Sequence, residues 1–166
     1  MEIICAVDEY WNIGYCGQML CTISEDLRRF KQLTTGNIVI MGRKTLESLP
    51  GGEALPGRIN IVLTRNKEYS KENIMVVNSL EELFTLLKKI NPKGELTNFV
   101  IGGGEVVRQL LPYCNKAYIT KVLRQFRETD TSIPNLDHEL RWTLERETHT
   151  FTENNLTYKY VTYGRF

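Results

Sequence analysis

The stretch Asn37-Ile38-Val39-Ile40-Met41-Gly42-Arg43-Lys44-Thr45 decides the fold. Its apolar run from Ile38 to Met41 leaves no polar face, as expected of a strand covered on both sides in a parallel sheet. The strand runs straight into glycine, and Gly42 onward opens a short helix ending near Leu49. A second copy of the pattern follows in Asn98-Phe99-Val100-Ile101-Gly102-Gly103-Gly104, with a helix through Leu111. Two strand-to-helix turns of one kind predict alternating β and α elements.

Further strands are predicted outward from these two, at Glu2 to Val7, Arg58 to Leu63, Met75 to Val77 and Ala117 to Val122. Ser24 reads as the cap of a helix with Glu25 and Asp26 in its first turn and Gly36 closing it. Ser79 caps an amphipathic helix through Leu80, Leu83, Leu86, Leu87 and Ile90. The tail from Trp142 reads as antiparallel strands, the last from Leu156 to Tyr163. The expected class is α/β, with a central, mostly parallel, twisted sheet, an antiparallel C-terminal edge and about four flanking helices. No linker or composition break divides residues 1–166, so one domain is expected. Asp8 to Gln18 shows no periodicity and is punctuated by glycine, as expected of a loop that serves as a lid.

With 166 residues, 42% of them hydrophobic, the chain can bury a core without disulfides or metal. A net charge of +1 argues against a general nucleic-acid binder but allows a local positive pocket. The opening lacks the basic and apolar regions of a signal peptide, and no apolar run is long enough for a membrane span. A cytoplasmic location is expected. Cys5, Cys16, Cys21 and Cys114 match neither a zinc nor a CxxC spacing. A Cys16–Cys21 disulfide would be unusual in such a compartment. His138 and His149 read as surface residues, and no metal is expected.

Three strand ends carry residues suited to a nucleotide. Gly102-Gly103-Gly104 lets backbone approach a ligand, although it is not the GxGxxG fingerprint; a tight turn alone would also use it. Arg43, Lys44 and Thr45 place positive charge at a helix start, against the helix dipole, and a phosphate would offset that cost. The other reading is a solvated basic pair. Thr64-Arg65 suits a ribose 2′-phosphate, which marks NADP rather than NAD. Asp26 borders an apolar stripe with Phe30 and Leu33, while Arg28 and Arg29 read as solvated. It is either an ordinary first-turn acid or a buried carboxylate that pairs with a flat polar heterocycle.

Six regions then take on a joint meaning: IICAVDEYWNIG (Ile3 to Gly14), SEDLRRFKQLT (Ser24 to Thr34), IVIMGRKTLESL (Ile38 to Leu49), LPGRINIVLTRN (Leu55 to Asn66), VIGGGEV (Val100 to Val106), and AYITKV followed by DTSIP. In order and spacing the chain resembles the dihydrofolate reductases from end to end. The resemblance implies NADPH-dependent reduction of 7,8-dihydrofolate to tetrahydrofolate, with hydride reaching C6 and a proton reaching N5.

It also implies roles for individual residues. Asp26 and Thr120 would be the catalytic pair, with Asp26 holding the pterin amino group and ring nitrogen. Ile4, Cys5, Leu27, Phe30 and Ile101 would surround the rings, Leu49 and Leu55 the benzoyl part, and Arg58 the glutamate carboxylate. Ala6, Ile13, Gly14 and Met19 would lie near the nicotinamide, Met19 at the centre of a lid from Glu9 to Ile23. Gly42, Arg43, Lys44 and Thr45 would hold phosphates, Leu63, Thr64 and Arg65 the adenosine side, and Gly102, Gly103, Gly104, Glu105, Val106 and Val107, beside Ile101, the pyrophosphate.

Two departures stand out. Cys21 replaces a usual tryptophan and Val107 a usual aromatic residue, and both changes are expected to open space beside the ring pocket and weaken trimethoprim-type antifolates. The expected partners are dihydrofolate and antifolates, bound by a monomer, with no nucleic acid or membrane. Other readings are a pyrimidine reductase of riboflavin synthesis and a non-enzymatic nucleotide-binding module; neither needs both Asp26 and Arg58.

Overall fold

A computed structural model describes the whole chain, Met1–Phe166. Strands β1 (Glu2–Val7), β2 (Asn12–Tyr15) and β3 (Gln18–Met19) precede helix α1 (Ser24–Thr34). Then come β4 (Ile38–Gly42), α2 (Arg43–Ser48), β5 (Ile59–Leu63), β6 (Ile74–Val77) and α3 (Leu80–Ile90). The chain continues through β7 (Asn98–Gly102), α4 (Gly104–Leu110) and β8 (Lys116–Val122). It closes with β9 (Thr131–Ser132), β10 (Trp142–Glu147), β11 (Phe151–Glu153) and β12 (Leu156–Arg165).

The main sheet runs β10-β12-β8-β1-β7-β4-β5-β6, with β11 attached to β12. From β8 to β6 all pairings are parallel. Strands β10, β11 and β12 add the antiparallel edge. The expected α/β class with four α-helices is therefore observed. No helix is long and apolar enough to cross a membrane.

Alternation along the central strands divides the interior into two cores. Ile3, Ile38, Ile40 and Val100 join Leu83 and Leu87 of α3 and Val106, Val107 and Leu110 of α4 on one face. Ile4, Val39, Met41 and Phe99 join Phe30 and Leu33 of α1 and Leu46 of α2 on the other. Helix α3 forms as its sequence predicts: the Ser79 side chain accepts from the Glu82 N–H, with acids in the first turn and lysines in the last.

Some expectations need correction. Ser24 is the first helical residue and not the cap; the cap position is Ile23, with no side-chain bond. The Ser24 hydroxyl and N–H instead both donate to the Glu153 carboxylate, and this charge-assisted pair replaces the local cap. The lid contains structure: β2 pairs with β3 and with β9 in a small separate sheet. Helix α4 ends at Leu110 and tightens into a 3-10 turn, Leu111–Tyr113, at Pro112. The cysteines, by contrast, are as expected: all four are free, including Cys16 and Cys21.

Asn60 is 2% exposed and organises the loop before β5. It accepts from the Leu55 N–H and donates to the carbonyls of Leu55 and Arg58. Asn60→Ala strands these backbone groups and is expected to lower stability by about 2 kcal/mol. In a urea titration the midpoint falls while the slope stays constant; an unchanged midpoint contradicts the role assigned to Asn60.

Candidate active site

Strand register lines up the predicted site. Thr120 on β8 sits beside Ala6 on β1, Gly102 on β7 beside Met41 on β4, and Gly42 on β4 beside Leu63 on β5. The carboxyl ends of five neighbouring strands thus form one row, the place where open α/β sheets bind ligands.

Asp26 projects from the first turn of α1 to this row. Its Oδ1 accepts a hydrogen bond of 2.5 Å from the hydroxyl of Thr120, which is 3% exposed. Its Oδ2 has no protein partner. Burial raises the carboxyl above its usual range, while the Thr120 bond and the Arg29 charge act against that rise. Burial and the nearby Asp26 charge push the Cys5 thiol up to about 12, and the Cys21 thiol is raised for the same reasons. Both thiols are neutral neighbours at neutral pH.

Ile4, Phe30, Leu49, Leu55 and Ile101 meet in one apolar cluster on the α1 side of the sheet. Leu27, one position after Asp26, is 43% exposed, an apolar side chain left facing open volume. Arg58 is part buried. Its Nε donates to the Pro56 carbonyl and one terminal nitrogen donates to Thr34 Oγ1 at 3.0 Å. It has no acidic partner among the ion pairs, so the guanidinium remains available to an anion.

The glycine turns at β4 and β7 press against each other. A Cβ on Gly42 would meet Val106 Cγ2 at 3.2 Å, and one on Gly103 would meet Thr45 Oγ1 at 3.4 Å. Gly102 has φ +131, and a Cβ on Gly104 would lie 2.3 Å from the Ser132 carbonyl oxygen. Only glycine fits there, and the bare backbone gives a ligand close access. Neither α2 nor α4 starts with a side-chain cap, so their first-turn N–H groups can serve a phosphate. Arg43 forms a two-pronged pair with Glu47, which a phosphate would have to share. Lys44 and Arg65 are exposed, Thr64 is half-buried, and its hydroxyl accepts from the Asn66 N–H. Glu105 is exposed, whereas Val106 and Val107 are core side chains, so those two can offer a ligand only their backbone. Val107 is 1% exposed, so the open volume expected beside it is not there. Of the two departures only half-buried Cys21 retains access.

The segment expected to be the lid is tied to Asp130 and β9. Gly14 accepts from the Asp130 N–H, and the Cys16 N–H donates to the Asp130 carboxylate. Ile13 packs against the larger core, and Met19 lies 57% exposed opposite Gly14. Sequence reasoning missed two contributors. One is the Asp130 to Ser132 segment, whose role depends on pairing with distant β2. The other is Arg29, read as solvated but seated over the rings of Tyr160 and Tyr118. Arg28 is solvated as expected, paired with Glu25.

Comparison with known proteins agrees with this geometry. The profile of the family described as "Dihydrofolate reductase" matches residues 1–165. The chain is 36% identical over 134 residues to the dihydrofolate reductase of Staphylococcus haemolyticus, covering 81% of this chain and 76% of that protein. It is 34% identical over 167 residues to that of Bacillus subtilis strain 168, covering 99% and 94%. The dihydrofolate reductase of Enterococcus faecalis, solved with NADP(H) and RAB-propyl, superposes with a TM-score of 0.84 at 34% identity, covering 99% of this chain and 95% of that one. By profile, relatives and fold, this chain belongs to the dihydrofolate reductase family, the NADPH-dependent enzymes that reduce dihydrofolate to tetrahydrofolate.

Proposed function

We propose that the reduction of 7,8-dihydrofolate takes place in the cleft between α1 and the row of strand ends, with Asp26 as the residue that holds the pterin. The observation that carries this reading is the half-satisfied carboxylate: Thr120 fixes Oδ1 and leaves Oδ2 for a ligand. NADPH, when bound, would supply the hydride for C6 of the pterin, and water would supply the proton for N5. Asp26 Oδ2 accepts from the pterin amino group and ring N–H, orienting the ring and favouring positive charge on it. Phe30, Leu27, Ile4 and Ile101 pack around the ring, beside Cys5, and exclude water. Leu49 and Leu55 line the benzoyl part, and Arg58 takes the glutamate carboxylate as a bidentate pair.

For the cofactor, the residues fit. Gly102, Gly103 and Gly104 with Glu105, Val106 and Val107 offer backbone to the pyrophosphate. Arg43, Lys44 and Thr45 beside Gly42 bind phosphate, and Leu63, Thr64 and Arg65 the adenosine side. Ala6, Ile13, Gly14 and Met19 border the nicotinamide. One chain supplies every one of these groups, which suits a monomer acting as a single domain. Four free cysteines suit a reducing compartment such as the cytoplasm. The near-neutral charge suits small-molecule ligands rather than nucleic acid.

The first test is loss of NADPH absorbance with and without dihydrofolate; oxidation that ignores the pterin contradicts the reading. Asp26→Asn is expected to cut turnover at neutral pH about a hundredfold while NADPH affinity holds. Equal loss of both would show misfolding instead.

The same variant has a stability signature. The folded carboxyl sits above its usual range because of burial. At pH below the ordinary carboxyl range, folded and unfolded chains both carry the proton, and the group costs nothing. As pH rises the unfolded chain ionises first, and stability falls until the folded carboxyl has ionised too. Ionised Asp26 therefore lowers stability at neutral pH. Asp26→Asn, which keeps an oxygen for Thr120, is expected to raise Tm there and to do so less in acid.

Arg58→Ala is expected to raise KM for dihydrofolate about thirtyfold, the lower end for a charged pair because the guanidinium is only part buried. A KM within threefold of wild type would remove Arg58 from the substrate site (a difference of about 0.7 kcal/mol or less). The antifolate expectation narrows to Cys21. Cys21→Trp is expected to strengthen trimethoprim inhibition, and equally strong inhibition of wild type and variant would end that idea.

A further inference from the structure

Arg29 is the one cation close to Asp26, and it is not an ion-pair partner. It lies three residues on along α1, on the same helical face. Its guanidinium stands 4.1 Å from the ring centroid of Tyr160 and 5.9 Å from that of Tyr118. It forms no salt bridge, whereas neighbouring Arg28 is paired with Glu25 in solvent. Tyr160 is directly opposite Thr120 in the β8–β12 pairing, so the residue that seats the cation and the residue that binds the carboxylate share one rung. The Tyr160 ring is itself packed against Tyr158 at 5.7 Å and Phe151 at 5.8 Å. An arginine stacked on fixed rings stays charged and stays in place. With Glu25, Arg28 and Gln32 it lines a cavity of about 450 Å³.

The other groups facing Asp26 are neutral at neutral pH. From β1 comes the Cys5 thiol, from the lid the Cys21 thiol, from β8 the Thr120 hydroxyl, and from β12 Tyr160 backed by Tyr158, while the charge of adjacent Glu25 on α1 is paired with Arg28. Arg124 acts on Cys21, and the Lys116 ammonium lies 5.4 Å from the Tyr118 ring centroid. The charge that acts on Asp26 is that of Arg29.

We propose that Arg29, seated on the Tyr160 and Tyr118 rings, is a positioning residue that keeps Asp26 ionised inside its apolar cleft and so sets the acid limit of the enzyme's working pH range. The inference rests on the reading of Asp26 as the carboxylate that holds the pterin. Burial alone favours the protonated acid, which could not take both pterin hydrogens; a cation held just outside the cleft opposes this without occupying Oδ2. A direct ion pair would consume the oxygen the substrate needs. The aromatic seat supplies the field and leaves that oxygen open.

The test is the titration of the Asp26 side-chain carbon, followed by carbon NMR on the full chain with NADPH bound, beside the pH dependence of kcat/KM. In Arg29→Gln the titration midpoint is expected to rise by about half to one pH unit, and the acid limb of kcat/KM to move up with it. Arg29→Lys and Tyr160→Phe are expected to stay near wild type, because charge and ring are kept. Tyr160→Leu removes the seat and is expected to move the midpoint in the same direction as Arg29→Gln. An unmoved midpoint in Arg29→Gln overturns the proposal, as does a shift in Arg29→Lys as large as that in Arg29→Gln. A midpoint that moves while the acid limb does not overturns the role of Asp26 as the substrate's carboxylate, and with it the functional part of the proposal, but leaves the electrostatic link intact.

Discussion

The hydrogen bond between the Thr120 hydroxyl and Asp26 joins the first turn of α1 to the middle of the sheet. A carboxylate in an apolar cleft is costly unless its lone pairs are met. Thr120 meets one oxygen and leaves the other open, which turns a structural cost into a directed acceptor. Packing and strand pairing place this bond: Phe30 and Leu33 seat α1 on the sheet, and β1 and β12 hold β8 from both sides. Burial of an ionised group there costs stability, as is common where stability and activity pull apart.

The glycine turns impose the second constraint, and they connect the cofactor side to the lid. The missing Cβ of Gly104 admits the Ser132 carbonyl, and Arg108 of α4 grips both the carbonyl and the hydroxyl of Ser132. Ser132 belongs to β9, which pairs with β2 of the lid. The Gly102 to Gly104 turn is therefore one contact away from the β2–β3 segment. A closure of that segment would exclude water from the strand ends.

Much of this was legible in the chain. Strand β4 could be read because both its faces are apolar, and α3 because its cap, stripe and terminal charges agree. The three nucleotide features could be read singly, but only register brought them to adjacent strand ends. Three things were hidden for a common reason. The short strands β2, β3 and β9 pair through distant contacts and carry no pattern of their own. Ser24 looks like a cap, yet its hydroxyl goes to Glu153, far along the chain. Arg28 and Arg29 are alike by sequence, and only the tyrosines of β8 and β12 distinguish them. The Val107 expectation failed because a side chain one turn from a glycine hinge can face the core as readily as a ligand.

The central claim is that one oxygen of Asp26 is reserved for the pterin. A crystal structure of the chain with NADPH and folate tests it directly. The account predicts the pterin amino group and ring nitrogen on Asp26, with Thr120 still bonded to the same carboxylate and Arg58 on the tail. A pterin bound elsewhere, or Asp26 turned out to solvent in that complex, would contradict it.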